Sequence, residues 1–270
     1  MLDDSPLGKA TAYPDRYDPS LLFALDRGIQ RDLMGLREPL PFTGMDIWTA
    51  YEISWLNAAG TPQLAIGEIR VPANSPAIVE SKSLKLYLGS FAQEPVASRA
   101  ELTQTLKRDL ARACGVEIGV ELIAPSAGAS LVSDLPGESI DGELVDGAQP
   151  HPTPTLLSAN DGLADEALCS ALFRSNCPVT GQPDYADVLV RYRGPRIDRA
   201  GLLRYLISYR RHAAFHENCV ERIFVDVTRE CHPQHLTVYA RFTRRGGIDI
   251  NPFRSNFESA PARTFRTPRQ

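Results

Sequence analysis

The segment YLGSF at residues 87–91 has a counterpart 118 residues later, YLISY at residues 205–209, and this pair decides the fold. Both segments lie in stretches with helical composition and spacing. The same offset matches alternating apolar positions in two later strand-like runs: Ile118 and Val120 with Leu236 and Val238. One offset that holds across a helix and a strand predicts two copies of one module. The alternative is that unrelated helix and strand patterns resemble each other in composition.

The elements around these segments follow a similar order in both halves. In the first half, periodicity predicts two strands, two helices and a strand: DIWTAYEISWL (46–56), QLAIGEIRV (63–71), SKSLKLYLGSF (81–91), ELTQTLKRDLARAC (101–114) and VEIGVELI (116–123). In the second half it predicts a strand, two helices and a strand: DVLVRYRG (187–194), DRAGLLRYLISY (198–209), HENCVERIFVDVTREC (216–231) and HLTVYARFTRR (235–245). The predicted fold class is therefore α+β, built from two modules.

A region rich in Pro, Gly, Ser, Ala and Asp separates the two modules. It covers residues 124–165 and predicts a linker with one short strand near Ser139 to Leu144. The predicted domains are therefore a first module with an N-terminal extension at residues 1–123, this linker, and a second module at residues 166–270.

Length and composition exclude several classes of protein. The 270 residues are 43% hydrophobic and 23% charged, which is typical of globular domains. No apolar run approaches the roughly 18 residues that a membrane span needs, and the first residues lack the order of a signal peptide. The five cysteines are odd in number and form no CxxC pair, which argues against a disulfide framework or a four-cysteine zinc site. We therefore expect a reduced, cytoplasmic protein with no membrane partner and no metal.

Basic residues are concentrated in the second half. From Arg174 onward the chain has 17 Arg, no Lys and 9 acidic residues, a net charge of +8, although the whole chain has a net charge of −4. An Arg-rich half favours an anionic ligand such as a nucleotide, a nucleic acid or a polyphosphate. A GC-rich genome that favours Arg over Lys is the other explanation.

Cys177 is the first cysteine to consider as a nucleophile. It lies in LFRSNCPVTGQPDYADV (172–188), between a strand-like run and a turn, and Arg174 nearby favours the reactive thiolate. Asp184, seven residues later, could exchange a proton with it across the turn. The other role open to Cys177 is that of a small buried apolar residue.

His216 and Glu217 begin a predicted helix after Phe215. An imidazole and a carboxylate at a helix start can bind the edge of a heterocycle while the aromatic ring stacks on it, although Glu217 could instead stabilise the helix N-terminus. Glu80 precedes a helix of the first module in a similar way. The 118-residue offset places His216 opposite Ser98, so matching positions carry different polar groups. This difference predicts one site shared between the modules rather than two complete sites.

The tetrad Arg244-Arg245-Gly246-Gly247 follows a predicted strand. Its backbone N–H groups and guanidinium groups could bind a phosphate, and a solvent-exposed turn is the other interpretation. The sequence has no GxGxxG after a strand and no GxxxxGK[ST], which excludes a Rossmann site and a P-loop. It also has no HExxH motif, so a metal site is not indicated.

Taken together, these segments resemble those of the NADPH-dependent 7-cyano-7-deazaguanine reductases, the nitrile reductases of queuosine biosynthesis. The segments that carry the resemblance span nearly the whole chain: FTGMDIWTAYEISWLN (42–57), VESKSLKLYLGSF (79–91), LFRSNCPVTGQPDYADV (172–188), FHENCVERI (215–223) and YARFTRRGGIDINPFRS (239–255). The length is similar to that of the long, two-module subfamily. Residues 124–165 depart from the family pattern.

The resemblance implies a tunnelling fold in each module, with two helices packed on one face of an antiparallel sheet. It implies reduction of 7-cyano-7-deazaguanine to 7-aminomethyl-7-deazaguanine by two NADPH, through a covalent thioimide on Cys177 with Asp184 as proton donor. It also implies a set of substrate-binding residues: Val79, Glu80, Ser81, His216 and Glu217. The NADPH-binding residues that it implies are Ser81, Lys82, Arg245 and Gly246.

Two other classes of protein remain open. A zinc-dependent pterin or purine enzyme of the same fold, such as a GTP cyclohydrolase, would need a His/Cys metal set. A non-catalytic nucleic-acid-binding module would explain the Arg-rich half but would give Cys177 and Asp184 no role. For a reductase we expect 7-cyano-7-deazaguanine and NADPH as partners, no direct contact with nucleic acid, and a homodimer that covers exposed sheet edges.

Overall fold

A computed structural model of the chain describes residues 13–127, 132–146, 149–262 and 265–270. Residues 1–12 of the predicted first module, and residues 128–131 and 147–148 of the predicted linker, lie outside the described residues. Two compact units divide the described chain. The first comprises residues 13–37, 46–127 and 244–249, and the second comprises residues 38–45, 132–243 and 250–270 within the described ranges. The predicted boundaries at residues 123 and 165 divide the chain according to its internal repeat, whereas the two units are defined by their compactness. The predicted boundaries therefore stay a prediction.

The first unit contains the first strand pair and the first helix pair. Its elements are β1 (Ala24–Asp26), α1 (Arg27–Leu33), most of β2 (Thr43–Leu56), β3 (Pro62–Pro72), β4 (Ala77–Val79), α2 (Ser81–Gly89), α3 (Arg99–Cys114) and β5 (Gly119–Ile123). In its main sheet β3 lies between β2 and β5, and β1 pairs with β4 separately. Strand β2 buries Ile47, Ile53 and Trp55 on one face, as the strand period predicts, and its N-terminal half also buries Trp48 and Ala50 on the other face.

The second unit contains the second helix pair on a larger sheet. Its elements are β6 (Glu138–Ser139), β7 (Ala159–Asn176), β8 (Pro183–Ile197), α4 (Arg199–Ile207), α5 (His216–Cys231), β9 (His235–Phe242) and most of β10 (Ile248–Ser255). The strand order is β10-β9-β8-β7-β6. The ladders from β10 to β7 are antiparallel, but β6 pairs with β7 in parallel, which departs from a purely antiparallel sheet. The predicted α+β class is confirmed.

The two helix pairs contain the same buried hydrogen bonds. In the first unit Tyr87 Oη donates to Asp109 Oδ2 over 2.7 Å, and in the second unit Tyr205 Oη donates to Asp226 Oδ2 over 2.7 Å. In each unit a serine three residues after the tyrosine donates its hydroxyl hydrogen to the carbonyl oxygen of that tyrosine. The internal repeat is therefore present in the side-chain contacts as well as in the sequence pattern.

The offset between the two copies changes within the helix pair. The tyrosines differ by 118 residues, but their aspartate partners differ by 117, as do the first residues of α3 and α5. The prediction that His216 lies opposite Ser98 is therefore wrong by one residue. Ser98 is the N-cap of α3, and Phe215 is the N-cap of α5.

Two strands of the second unit lie largely outside the predicted elements. β7 begins at Ala159, so residues 159–165 of the predicted linker form a strand. Two register shifts interrupt its ladder with β8, which weakens the alternation that a strand prediction needs. β10 contains a proline, yet it is buried along its whole length. Its Arg254 forms a buried ion pair with Glu221 of α5, a partner that the local sequence does not show.

Candidate active site

Cys177 lies where the β7–β8 hairpin turns. Its backbone N–H donates to the carbonyl oxygen of Gln182 over 2.9 Å, and the N–H of Gly181 donates to the carbonyl oxygen of Cys177 over 3.0 Å. These two bonds close a short loop, residues 177–182. Cys177 itself is only 7% exposed, whereas the next five residues of this loop are exposed. The loop therefore holds its cysteine inward.

The hairpin register places Asp184 near Cys177. Asp184 is the β8 partner of Ser175 on β7, and both are buried, so their side chains share the inner face of the hairpin. Cys177 is two residues beyond Ser175, and side chains two residues apart along a strand lie on the same face. Cys177 and Asp184, which are seven residues apart in the sequence, are therefore diagonal neighbours across the turn.

Helix α5 brings an imidazole to the same carboxylate. His216 is the first residue of α5, and its Nε2 lies 3.7 Å from Asp184 Oδ1. The His216 ring packs edge-on against Phe242 of β9, with 4.0 Å between ring centroids. Cys177, Asp184 and His216 are called the hairpin cluster below. The sequence spacing predicts the pair Cys177 and Asp184, and the structure adds His216 beside Asp184.

Glu217 lies in the first turn of α5 and is buried. The N-cap residue Phe215 makes no side-chain hydrogen bond to this helix start. A carboxylate in the first turn interacts favourably with the helix dipole, which agrees with the stabilising role considered from the sequence. The same position leaves Glu217 next to His216 of the hairpin cluster.

Asn176 fixes the start of α5 to the end of β7. Its N–H donates to the carbonyl oxygen of His212 over 2.8 Å, and its carbonyl oxygen accepts from Ala214 N–H over 3.1 Å. The segment before His216 is therefore tied directly beside Cys177. Sequence reasoning missed this contact, because it joins residues that are far apart along the chain, although Asn176 lies within the quoted motif SNCPVTGQPD.

Burial disfavours the other four thiols as nucleophiles. It raises the pKa of each: to about 11 for Cys114, to about 12 for Cys219 and Cys231, and in direction only for Cys169. At Cys219 the nearby carboxylates of Asp184 and Glu217 raise the pKa further. The thiolate is the reactive form of cysteine, so these four thiols are poor nucleophiles at neutral pH.

In the first unit, Glu80 caps helix α2. Its Oε1 accepts from Lys82 N–H over 2.7 Å, and its Oε2 accepts from Ser83 N–H over 2.8 Å. Val79, at the end of β4, pairs with Ala24 and is buried. Both carboxylate oxygens of Glu80 thus have a structural partner, and Oε1 has a second one, because it also accepts from Ser81 Oγ over 3.3 Å.

The Arg245–Ile248 turn lies beside helix α2 in the same unit. The N–H of Arg245 donates to the carbonyl oxygen of Ile248 over 2.9 Å, and Gly246 and Gly247 have φ values of 58° and 78°. These values define a turn that favours glycine at both central positions. A Cβ at Gly246 would lie 3.3 Å from Cδ and Cε of Lys85, so the Lys85 side chain lies over the turn.

Cationic side chains surround this glycine turn. The Arg244 guanidinium lies over the Tyr51 ring, 4.6 Å from its centroid, and Tyr51 donates to Asp249. Lys82 is one helical turn from Lys85 on α2 and is half-buried. Lysines and arginines next to a backbone without Cβ atoms are a donor set that suits phosphate groups. The residues of this unit therefore fit a phosphate-bearing cofactor.

The described residues provide neither a metal-ion cluster nor a membrane-crossing helix. They contain no group of three or more His, Cys, Asp or Glu side chains placed to hold a metal ion. Within them, no helix combines the length and the hydropathy that crossing a membrane requires.

Comparisons with known proteins match both units. Residues 13–122 match the family described as nitrile reductase, 7-cyano-7-deazaguanine-reductase N-term, and residues 183–261 match that of QueF-like proteins. The NADPH-dependent 7-cyano-7-deazaguanine reductase of Burkholderia cenocepacia is 54% identical over 273 residues, 99% of each chain. Its namesake in Chromobacterium violaceum is 53% identical over 271 residues, covering 99% of this chain and 97% of its own. A crystal structure of archaeosine synthase QueF-Like in the apo form covers 36% of this chain and 94% of its own, at 19% identity and a TM-score of 0.31.

Proposed function

The chain belongs to the family of NADPH-dependent 7-cyano-7-deazaguanine reductases, and on that premise we propose that it reduces its nitrile substrate through a thioimide on Cys177. The reaction converts 7-cyano-7-deazaguanine to 7-aminomethyl-7-deazaguanine, a step of queuosine biosynthesis. The observation that supports this proposal is the hairpin cluster, in which Cys177 and Asp184 are both buried at the β7–β8 turn and His216 Nε2 lies 3.7 Å from Asp184 Oδ1.

Cys177 supplies the nucleophile. Its sulfur forms a bond to the nitrile carbon, one π bond of the C≡N group breaks, and the nitrogen receives a proton. The thiol proton leaves sulfur in the same step, so the S–H group adds across the triple bond without net proton uptake. Covalent catalysis of this kind replaces one difficult reduction with easier steps, because a protonated thioimide accepts hydride more readily than a nitrile.

Asp184 moves the proton in that step. Its carboxylate can take the proton from the thiol and pass it to the nitrile nitrogen, since it lies diagonally across the turn from Cys177. Burial keeps water from competing for this transfer, because Asp184 is only 3% exposed. His216, whose Nε2 lies 3.7 Å from Asp184 Oδ1, fixes the orientation of this carboxylate.

The carboxylates of Glu217 and Glu80 bind the heterocycle in this proposal. A deazaguanine edge presents N–H donors, and ionised carboxylates are acceptor-only groups that bind such donors strongly. Glu217 is next to His216, and Glu80 lies between Val79 and Ser81 at the start of α2. That both carboxylates contact one substrate molecule stays a prediction.

The cofactor-binding residues that we propose lie around the glycine turn of the first unit. Lys82 and Arg245 bind phosphate groups, while Ser81 and Gly246 let the cofactor approach the backbone. When bound, NADPH supplies hydride, and two equivalents are needed because a nitrile takes up four electrons to become a primary amine. The Lys85 side chain over Gly246 adds a cation that the sequence reasoning did not include.

The deciding experiment separates the covalent step from the reductions. The protein mixed with 7-cyano-7-deazaguanine alone should gain the mass of the nitrile on the peptide that contains Cys177. Addition of NADPH should then give two NADPH oxidised per aminomethyl product. In Asp184→Asn the adduct should form about 10²- to 10⁴-fold more slowly, as expected for loss of a general acid–base group. An adduct on Cys219, or product formation without any adduct, would overturn the assignment.

We also propose that the enzyme is a cytoplasmic homodimer that does not bind nucleic acid. The long strand β7 supports the dimer, because among the described residues β6 pairs with its Leu168 and Cys169 alone, and a second chain could cover residues 159–167 of that edge. Light scattering of the purified chain should give twice its mass of 29.7 kDa.

A further inference from the structure

The side chain of Gln270 is buried and uses every hydrogen-bonding position that an amide has. Its Oε1 accepts from Arg241 Nε over 2.8 Å and from Thr267 N–H over 2.9 Å. Its Nε2 donates to the carbonyl oxygen of Phe242 over 2.9 Å and to Asn251 Oδ1 over 2.7 Å. These four hydrogen bonds hold the buried amide in one orientation. Without the amide, each of its buried polar partners would lose a hydrogen bond.

These bonds join β9 to β10 at the end of β9. The direct ladder between the two strands runs from Thr237–Ser255 to Tyr239–Phe253. Beyond it, Gln270 bonds to Arg241 and Phe242 of β9 and to Asn251 of β10. The amide thus continues the connection between the strands as far as Phe242, the last residue of β9.

Phe242 links this amide to the hairpin cluster. Its carbonyl oxygen is fixed by Gln270, and its buried ring packs against His216 at 4.0 Å between centroids. His216 Nε2 in turn lies 3.7 Å from Asp184 Oδ1. A shift of the Phe242 backbone therefore changes the surface on which the His216 ring rests, and with it the distance to Asp184.

We propose that Gln270 is a positioning residue, which holds Phe242 so that its ring keeps His216 against the carboxylate of Asp184. Gln270 touches neither substrate nor cofactor in this role. The inference rests on the proposed function, because it matters only if Asp184 and Cys177 carry out the covalent step. Misplacement of reacting groups by about 1 Å can cost 10²-fold in rate, so small shifts at this position are enough.

Two variants test the inference. Gln270→Met keeps the length of the side chain and removes all four hydrogen bonds, while Gln270→Glu keeps both acceptor bonds and loses both donor bonds. Each variant is mixed rapidly with 7-cyano-7-deazaguanine alone, and the rate constant and amplitude of adduct formation on Cys177 are recorded. We expect the rate constant to fall about 10- to 100-fold with full amplitude. The KM for NADPH should stay unchanged, because the proposed cofactor residues belong to the other unit.

The rate constant and the amplitude of adduct formation together distinguish a positioning role of Gln270 from a merely stabilising one. A variant that is merely less stable would show a lower amplitude and an unchanged rate constant. Arg266→Gln is the matched control, since Arg266 lies in the same segment and only reaches the carbonyl oxygen of Gln270 over 3.5 Å. It should react like the wild type.

Each remaining outcome decides the matter. A wild-type rate constant in Gln270→Met overturns the inference while leaving the proposed function intact. Failure of both variants to fold would place Gln270 in the scaffold and overturn it as well. If the wild type itself forms no adduct on Cys177, the proposed function fails, and the inference fails with it.

Discussion

Helices α3 and α5 occupy matching places in the two units, but they begin differently. Ser98 caps α3, and its hydroxyl accepts from Glu101 N–H over 3.1 Å. Phe215 provides no such bond to α5, which begins with His216 and Glu217. A serine cap is worth about 1 kcal/mol. The second copy therefore lacks a stabilising feature at the place where it carries an imidazole and a carboxylate, as functional sites often do.

Helices α2 and α4, in contrast, begin in the same way in both units. Both have an acidic N-cap: Glu80 accepts from the first turn of α2, and Asp198 accepts from Gly201 N–H over 3.0 Å. Here the structural role is common to both copies. Both copies therefore share the acidic cap, whereas His216 of α5 stands where α3 of the first copy has Arg99.

Removal of a cysteine from each unit gives the largest expected difference. Cys177→Ala should abolish turnover and adduct formation, because no other thiol is placed to replace it. Cys114→Ala, its control in the first unit, should keep the wild-type turnover number per folded molecule. NADPH oxidation and circular dichroism check both. Equal loss of activity in the two variants would mean that the second unit holds no special thiol.

The two glutamates should separate binding from stability. Glu217→Gln should weaken nitrile binding about 10- to 150-fold, since a hydrogen bond to a charged group is worth roughly 1.5–3 kcal/mol. Glu80→Gln should weaken binding and also lower the free energy of unfolding by about 1 kcal/mol, because one capping oxygen is lost. Calorimetric titration in a Cys177→Ala background and urea unfolding measure the two effects.

Asp198→Asn is the control for that pair. It removes a capping charge from α4, so the free energy of unfolding should fall while the nitrile affinity is unchanged. Weakened nitrile binding in Asp198→Asn would show that acidic caps affect the site through the scaffold alone.

The repeated tyrosines should behave alike. Tyr87→Phe and Tyr205→Phe each remove a buried hydrogen bond to an aspartate, so each should lower the free energy of unfolding by about 1.5–3 kcal/mol. Tyr205 also bonds to Tyr209 over 2.7 Å, so its substitution should cost more. Urea unfolding measures both. A cost confined to one unit would contradict a shared scaffold.

The first turns of α2 and α4 should differ in cofactor binding. Lys82→Met and Arg245→Met should each raise the KM for NADPH about 10-fold, through loss of a partly screened charged hydrogen bond. Arg199→Met, in the first turn of α4, should leave it unchanged, because Arg199 already pairs with Glu138. Raised ionic strength should weaken NADPH binding more in the wild type than in the first two variants. An unchanged KM in both would move the cofactor elsewhere.

The smallest effect concerns the pH dependence of stability in the second unit. Burial raises the pKa of Asp226 above its ordinary value of 3.8, so the folded protein holds this proton more tightly than the unfolded chain. Its contribution to stability is therefore complete below the ordinary value and is lost as the pH rises through the raised one. Asp226→Asn should remove this decline from urea unfolding curves measured between about pH 3 and pH 7. If the free energy of unfolding of Asp226→Asn declines with pH as in the wild type, other groups cause the decline.

The elements that the sequence predicts are those whose stability is local. Strand β2 alternates and α5 has a clear apolar face, so both are visible in periodicity. β10 is not, because its polar residues are buried by distant partners such as Glu221. The same holds for the site. Cys177 and Asp184 are seven residues apart, so their spacing alone predicts the pair, whereas Asn176, Phe242 and the contact between His216 and Asp184 depend on the register of three strands.

The loop 177–182 has a consequence for the entropy of binding. Cys177 precedes a proline, which disfavours helical conformations of its backbone and favours extended ones even in the unfolded chain. Gly181 has a φ of 68° and closes the loop through its bond to Cys177. The conformation around the thiol is thus chosen by residue type before any ligand arrives. Attack on a nitrile then requires little further loss of backbone conformational entropy. The favourable interaction energy with the substrate is therefore not offset by the cost of ordering the nucleophile.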